Sequence, residues 1–283
     1  MRVGEFDIAH TVESAQPLTF FGDERNDRKG ITYAYKNSVI EVAQNGGSVE
    51  YRAYGPLDAD TLRKEVRARF GLDDNMRAIY RSIGTDAFMK SAIKKYRGMR
   101  ITRNDPWETT LCFVISQFNN VKRIRGIVQR LIAAYGEEHV FSAGDVKLTF
   151  RSFPTAEEIS KRSVSDLMSH GAGFRAKYIK SVAREWSSEN AFGKLGKKEY
   201  AKAKEELMVL DGVGDKVADC ILLFGYGKLE AFPIDTWIQR IVERTYFNGR
   251  KQNVKRIHEF AEERWGAYAG YAQQYLFHFA RNE

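Results

Sequence analysis

The sequence predicts an α+β fold, an N-terminal antiparallel β-sheet unit followed by a mostly α-helical region. Three observations carry this. Residues 31 to 54, ITYAYKNSVIEVAQNGGSVEYRAY, alternate β-branched or aromatic positions with polar ones and break at KNS and NGG, as an antiparallel meander does. From DADTLRKEVRARFG onward the apolar period becomes 3.6, punctuated by caps and glycines. Farther on, Gly212 and Gly214 separate KKEYAKAKEELMVL from KVADCILLFGYG, two runs with buried-face helical spacing, which makes a short interhelical hairpin over about 198–226. The length of 283 residues fits two domains, taken as 1–100 for the β unit with flanking helices and 101–283 for the helical part.

The elements follow in order. Gly71, Gly84 and Gly98 read as helix stops, and TDAF as a start between them. Asp105, Pro106 and Glu108 make a clear helix start, with the aspartate as N-cap, proline at the first position and glutamate at the third. Thr155 in FPTAEE repeats the device, and Asp235 in AFPIDTWIQRIVERTYF opens another helix after an apolar stretch.

Composition narrows the function. Hydrophobic content of 43% with 13% aromatics fits a folded chain, and a net charge of +8 with a pI near 9.3 points to a polyanionic partner. The opening MRVGEFDIAH has no basic and apolar leader, and no apolar run approaches the ~18 residues of a membrane span. A cytosolic protein is expected, with no membrane contact. Two cysteines, Cys112 and Cys220, are too few for a disulfide framework, a zinc site or a four-cysteine iron–sulfur cluster, and the five histidines lack ligand spacing. No metal site is expected from side chains.

Gly212 and Gly214 permit positive φ and a close backbone approach, and the amides opening the second helix suit a phosphate oxygen. Gly212 also reads as an ordinary helix stop. Lys216 stands at the positive end of that helix, where a cation is unfavourable unless a phosphate compensates it or the side chain is poised as a neutral amine nucleophile. Asp235 is explained by its capping role, and it also supplies the carboxylate that a cationic transition state needs. A lysine and a carboxylate beside a phosphate clamp suggest chemistry at a sugar carbon.

With these residues in place, LDGVGDKVADC followed by PIDTW resembles the helix-hairpin-helix DNA glycosylases, and specifically the 8-oxoguanine DNA glycosylase branch. DPWETTLCFVISQFNNVKRIRGIVQRL, GFRAKY and WGAYAGYAQQYLFHFA resemble that branch in the same order. The resemblance implies a bifunctional enzyme that flips 8-oxoguanine out of double-stranded DNA, excises it through a lysine Schiff base and nicks the strand by β-elimination. Lys216 then matches the nucleophile and Asp235 its carboxylate. Gly212, Gly214 and Val217 match the phosphate-holding hairpin, whose carbonyls can also hold a monovalent cation; no cofactor is required. Phe277 and Cys220 match the residues enclosing the flipped ring, although each also reads as plain core. Gln273 matches the residue bonding the Watson–Crick edge. Ala15, where the family commonly has glycine, matches the carbonyl that senses the N7 hydrogen of the lesion. Arg123 and Arg175 match the readers of the orphaned cytosine, Phe174 an aromatic wedge, and Asn119 a residue beside the lesion.

Two positions depart from the pattern. Phe118 stands where better-known members carry an asparagine that fills the vacated space, and a phenyl ring has no hydrogen bonds for cytosine, so opposite-base preference is expected to relax. Trp237 replaces a phosphate-contacting histidine and offers one uncharged donor. Relatives of endonuclease III carry a four-cysteine cluster this chain cannot build, and alkylation-repair glycosylases lack the lysine. A glycosylase for a different damaged base and a non-catalytic DNA-binding module remain as alternatives; the latter gives no reason for Lys216, Asp235, Gln273 and Phe277 together. A monomer is expected, in the cytoplasm of a prokaryote or the nucleus of a eukaryote.

Overall fold

The structure, a computed structural model, describes residues 1–17, 23–24, 30–143, 146–188 and 192–282. The meander is present: β1 (Asp23–Glu24), β2 (Gly30–Tyr35), β3 (Ser38–Asn45) and β4 (Ser48–Tyr54) form one antiparallel sheet in sequence order. Tyr35 pairs with Ser38 and Asn45 with Ser48, so both links are two-residue turns, with Lys36 and Gly46 at positive φ. Ile31, Tyr33, Ile40, Val42 and Val49 turn inward onto Phe6, Val66 and Phe70. Helix α1 (Ile8–Glu13) is tied to the sheet through Gln44, which accepts from the Ile8 amide at 2.7 Å and donates to the Phe6 carbonyl at 2.7 Å.

The helices follow: α2 (Ala59–Arg69), α3 (Met76–Ile83), α4 (Ala87–Lys95), α5 (Pro106–Ser116), α6 (Val121–Tyr135), α7 (Ala156–Ser160), α8 (Val164–Ser169), α9 (Arg175–Ser188), α10 (Tyr200–Met208), α11 (Asp215–Tyr226), α12 (Thr236–Tyr246), α13 (Val254–Trp265) and α14 (Ala269–Arg281). The expected caps hold: Asp86, Asp105 and Thr155 each accept an amide from the first turn of their helices. Apolar packing divides between Phe70 and Met76, upstream of the expected domain limit at residue 100: α3 and α4 bury Ile79, Ile83, Met89 and Ile93 in the larger helical core.

The remainder is mostly helical, as expected, and the segment 138–151, which the sequence reading did not single out, departs from helix. There β5 (Glu138–Ala143) and β6 (Val146–Arg151) form an antiparallel hairpin. Alternating His139, Phe141 and Phe150 put their rings on one face, 4.9 and 5.8 Å apart across the pair, which a helical period would scatter.

At the centre α5 packs against α11. Both are apolar around most of their circumference, as fully buried helices are. The rings of Phe113 and Phe224 stack at 5.7 Å, and Gly225 lets the Pro106 backbone come so close that a Cβ would lie 3.2 Å from its Cα. Burial of Leu111, Ile115, Ile221 and Leu222 contributes about 1.5–3 kcal/mol each. This contact fixes the start of α11 over the end of α5.

Candidate active site

The hairpin between α10 and α11 closes on backbone bonds, Leu210 N to Leu207 O at 3.1 Å and Val213 N to Leu210 O at 3.0 Å. Gly212 has φ 77, and a Cβ there would lie 2.5 Å from Cγ of Tyr178, so both backbone and space demand glycine. Gly214 begins α11 in an extended conformation, with no side chain to cap the helix and nothing within 4 Å of where a Cβ would stand. The first backbone bond of the helix runs from Ala218 N to Gly214 O at 2.9 Å, so the amides of Asp215, Lys216 and Val217 have no partner within the helix. Uncapped amides at the positive end of a helix suit an anion.

Lys216 projects from this turn with Nζ 4.9 Å from the centre of the Phe113 ring. One turn farther Cys220 is buried, and burial pushes its thiol up to about 12; the Lys216 charge pulls down while Asp219 and Asp235 push up, which puts both Lys216 and Asp235 in electrostatic reach of it. Cys220 is therefore a neutral thiol. Across the cavity Asp235 caps α12: Oδ1 accepts from the Trp237 amide at 3.0 Å and the Ile238 amide at 2.8 Å. The capping role is real, and it holds the carboxylate rigidly at the cavity edge.

The cavity has a volume of about 1010 Å³. Of the residues singled out in the sequence, Ala15, Phe118, Asn119, Gly214, Lys216, Val217, Asp235, Trp237 and Phe277 line it. Gln273 lies buried behind the wall; its Nε2 donates to the Pro233 carbonyl at 3.1 Å, and its Oε1 is buried without a partner. An orphaned acceptor there costs about 1–3 kcal/mol unless a ligand supplies a donor.

Cys220, buried beneath Lys216, does not line the cavity, whereas Phe174 and Arg175 lie against Phe118 at its edge. Phe118 is 93% exposed at φ 47, a rare backbone for a bulky residue, and its ring lies 6.4 Å from that of Phe174, itself 53% exposed. Exposed apolar rings held in such a conformation mark a docking edge. Arg175 is buried and does not present its guanidinium outward: Nε donates to the Gln117 carbonyl at 2.6 Å and Nη2 to the Phe118 carbonyl at 2.9 Å. Burial, then the nearby Arg123 charge, holds Arg175 below the usual guanidinium range. Arg123 is exposed in the first turn of α6.

Several residues of the site carry no sequence signal. Gln117 donates to the Gly212 carbonyl at 3.0 Å and so ties the Phe118 loop to the hairpin. Arg281 and Lys122 add positive charge to the cavity. Asp215, Asp219 and His258 come together from two helices, which residue spacing alone could not reveal. Their charges are already met: Lys204 Nζ sits 3.0 Å from Asp215 Oδ2 and 2.9 Å from Asp219 Oδ1, where a cation would otherwise stand. His258, bonded at 2.9 Å, and Lys204 push Asp215 down to about 2. This network braces the first turn of α11.

Residues 1–110 match the family described as 8-oxoguanine DNA glycosylase, N-terminal domain, and residues 111–267 the HhH-GPD superfamily base excision DNA repair protein. A probable N-glycosylase/DNA lyase of Methanothermobacter thermautotrophicus is 30% identical over 99% of this chain and 95% of its own length. The N-glycosylase/DNA lyase of Saccharomyces cerevisiae is 27% identical over 96% of this chain and 83% of its own. The 8-oxoguanine glycosylase/lyase of Clostridium acetobutylicum, solved with double-stranded DNA containing cytosine opposite the lesion, superposes with a TM-score of 0.88 at 26% identity, covering 100% of this chain and 98% of that one.

Proposed function

The chain belongs to the 8-oxoguanine DNA glycosylase family of the HhH-GPD superfamily, and from that premise we propose that it excises 8-oxoguanine from double-stranded DNA and cleaves the resulting site with Lys216. The observation that carries the reading is the convergence of Lys216, Asp235 and the uncapped amides of α11 on one cavity. The amides of Asp215, Lys216 and Val217 hold a backbone phosphate, which the helix dipole favours. Exposed Phe118 and Phe174 enter the stack as the damaged nucleotide leaves it, offsetting a few kcal/mol of lost stacking.

In the pocket the ring lies against Phe277 and the thiol of Cys220. A guanine-type edge presents N–H donors, and the buried, unpartnered Oε1 of Gln273 accepts one. The Ala15 carbonyl accepts the N7 hydrogen that only the oxidised base carries. The Lys216 amine, once deprotonated, gives its lone pair to C1′; the bond from C1′ to the base breaks, and the base departs with that electron pair and takes up a proton. Asp235 stabilises the positive charge that grows on the sugar. Opening of the sugar ring gives a Schiff base, loss of a C2′ proton breaks the C3′–O bond, and hydrolysis frees Lys216. No step is routed through a metal ion or cofactor, and one copy of the chain supplies every group.

Opposite-base preference is relaxed in this proposal. Phe118 offers the estranged base no hydrogen bond, and all three nitrogens of the Arg175 guanidinium are engaged by backbone carbonyls, leaving exposed Arg123 as the nearby donor. Excision rates measured with each of the four bases opposite 8-oxoguanine test this. Rates within about tenfold of one another are expected; a cytosine preference of a thousandfold would overturn relaxed reading, and failure to release 8-oxoguanine from any duplex would overturn the function.

A further inference from the structure

We propose that Gln16 and Gln274 are positioning residues that fix the peptide carbonyl of Ala15, so that selection of the oxidised base depends on two buried side chains that never touch it. The inference rests on the reading of that carbonyl given above. Ala15 has φ 58. An alanine keeps a left-handed backbone only where its surroundings over-determine it. Here the residues on either side are bound from three directions. The Ser14 carbonyl accepts from Gln274 Nε2 at 2.8 Å, across from α14. Gln16 donates through Nε2 to Ser14 Oγ at 2.8 Å and to the Arg100 carbonyl at 2.7 Å, while its Oε1 accepts from the amide of Thr102 at 2.7 Å and its hydroxyl at 3.1 Å. Gln16 is fully buried and Gln274 nearly so.

The consequence lies in how the two base-reading groups are spaced. Gln274 is the immediate neighbour of Gln273 on α14, and Phe277 is one turn on. One rigid helix therefore sets the Gln273 acceptor on one side of the pocket and, through Ser14, the Ala15 carbonyl on the other. A carbonyl locked in place gains a bond from an N7 hydrogen and is opposed by the N7 lone pair of ordinary guanine. A carbonyl free to rotate gives up both effects, since it no longer faces the base and no longer repels the wrong one.

The test compares wild type with Gln274→Glu, Gln274→Met and Gln16→Glu. Each is close in size to glutamine; each removes the donor to Ser14 or Arg100. Single-turnover release of 8-oxoguanine is measured beside β-elimination at a pre-formed abasic site, which needs Lys216 but no base contact. Thermal unfolding is recorded for each variant. Base release is expected to fall roughly tenfold, with abasic-site cleavage within about twofold of wild type. Parallel loss of both activities would mean general damage and would overturn the proposal, as would unchanged base release in all three variants. A wild type that cleaves abasic sites but releases no 8-oxoguanine would overturn the functional reading beneath it, which is a separate outcome.

Discussion

Gly212 and Gly214 stand two residues apart and are expected to respond oppositely to the same substitution. Gly212→Ala forces a side chain onto a backbone at φ 77 and places Cβ 2.5, 2.8 and 2.9 Å from Tyr178 atoms. The left-handed backbone costs about 1–2 kcal/mol and the overpacking about 1–3 kcal/mol, against a gain of under 1 kcal/mol from a less flexible unfolded chain. A net loss of about 2–4 kcal/mol is expected, a drop of several degrees in Tm. Gly214→Ala meets nothing within 4 Å at an ordinary φ of −90, so stability should stay within about 0.5 kcal/mol of wild type. Its methyl group instead occupies space above the amides of α11. Interference with charge-assisted bonds to a phosphate is worth about 1.5–3 kcal/mol, so DNA affinity should fall roughly ten- to hundredfold. Thermal unfolding and fluorescence anisotropy on a duplex with a non-cleavable abasic analogue, titrated over a range of salt, read the two effects separately. A Gly214→Ala protein that unfolds as early as Gly212→Ala, or that binds DNA as tightly as wild type, would overturn these roles for the two glycines.

Asp235→Asn separates capping from chemistry: asparagine caps as well as aspartate, so Tm should hardly move, while base release falls about 100-fold or more in single-turnover kinetics. Phe118→Asn places a residue tolerant of left-handed backbone where an exposed phenyl pays for φ 47, so the free protein should gain about 0.5–1 kcal/mol in denaturant unfolding and shift its excision toward lesions opposite cytosine. Glu108, at the start of α5, has its carboxyl pushed up to about 8 by burial, with Arg69 pulling the other way, and its Oε2 lacks a partner. An acid raised in the native state is stable there as the neutral form, so native stability falls as pH rises from about 4 toward 8. Glu108→Gln should flatten that part of the stability profile and stabilise the protein by about 1–2 kcal/mol at pH 8, allowing for the residue's partial exposure.

Local signals made the helix caps legible: Asp86, Asp105, Thr155 and Asp235 are each followed by the amides they accept from, and that chemistry spans only three residues. The turns at KNS and NGG were legible for the same reason. The β5–β6 hairpin was harder, because its alternation is short and follows directly on the helical period of α6. In the site, residue types with a chemical signature, Lys216, Asp235 and Phe118, could be named from the chain. Those acting through geometry could not. Arg175 reads as an outward donor, yet its fork turns back onto the Gln117 and Phe118 carbonyls and holds the rim loop. Gln117, Lys204 and His258 acquire their roles only when α5, α10, α11 and α13 are brought together, since each bonds a residue on another element.

Lys216 is the one amine proposed to do chemistry at the sugar. The most direct measurement is reduction with borohydride while the protein is mixed with duplex DNA containing 8-oxoguanine, followed by peptide mapping of the product. A covalent protein–DNA adduct carried by Lys216 is expected in the wild type and none in Lys216→Gln. Base release without any trapped adduct, or an adduct of equal yield in Lys216→Gln, would contradict it.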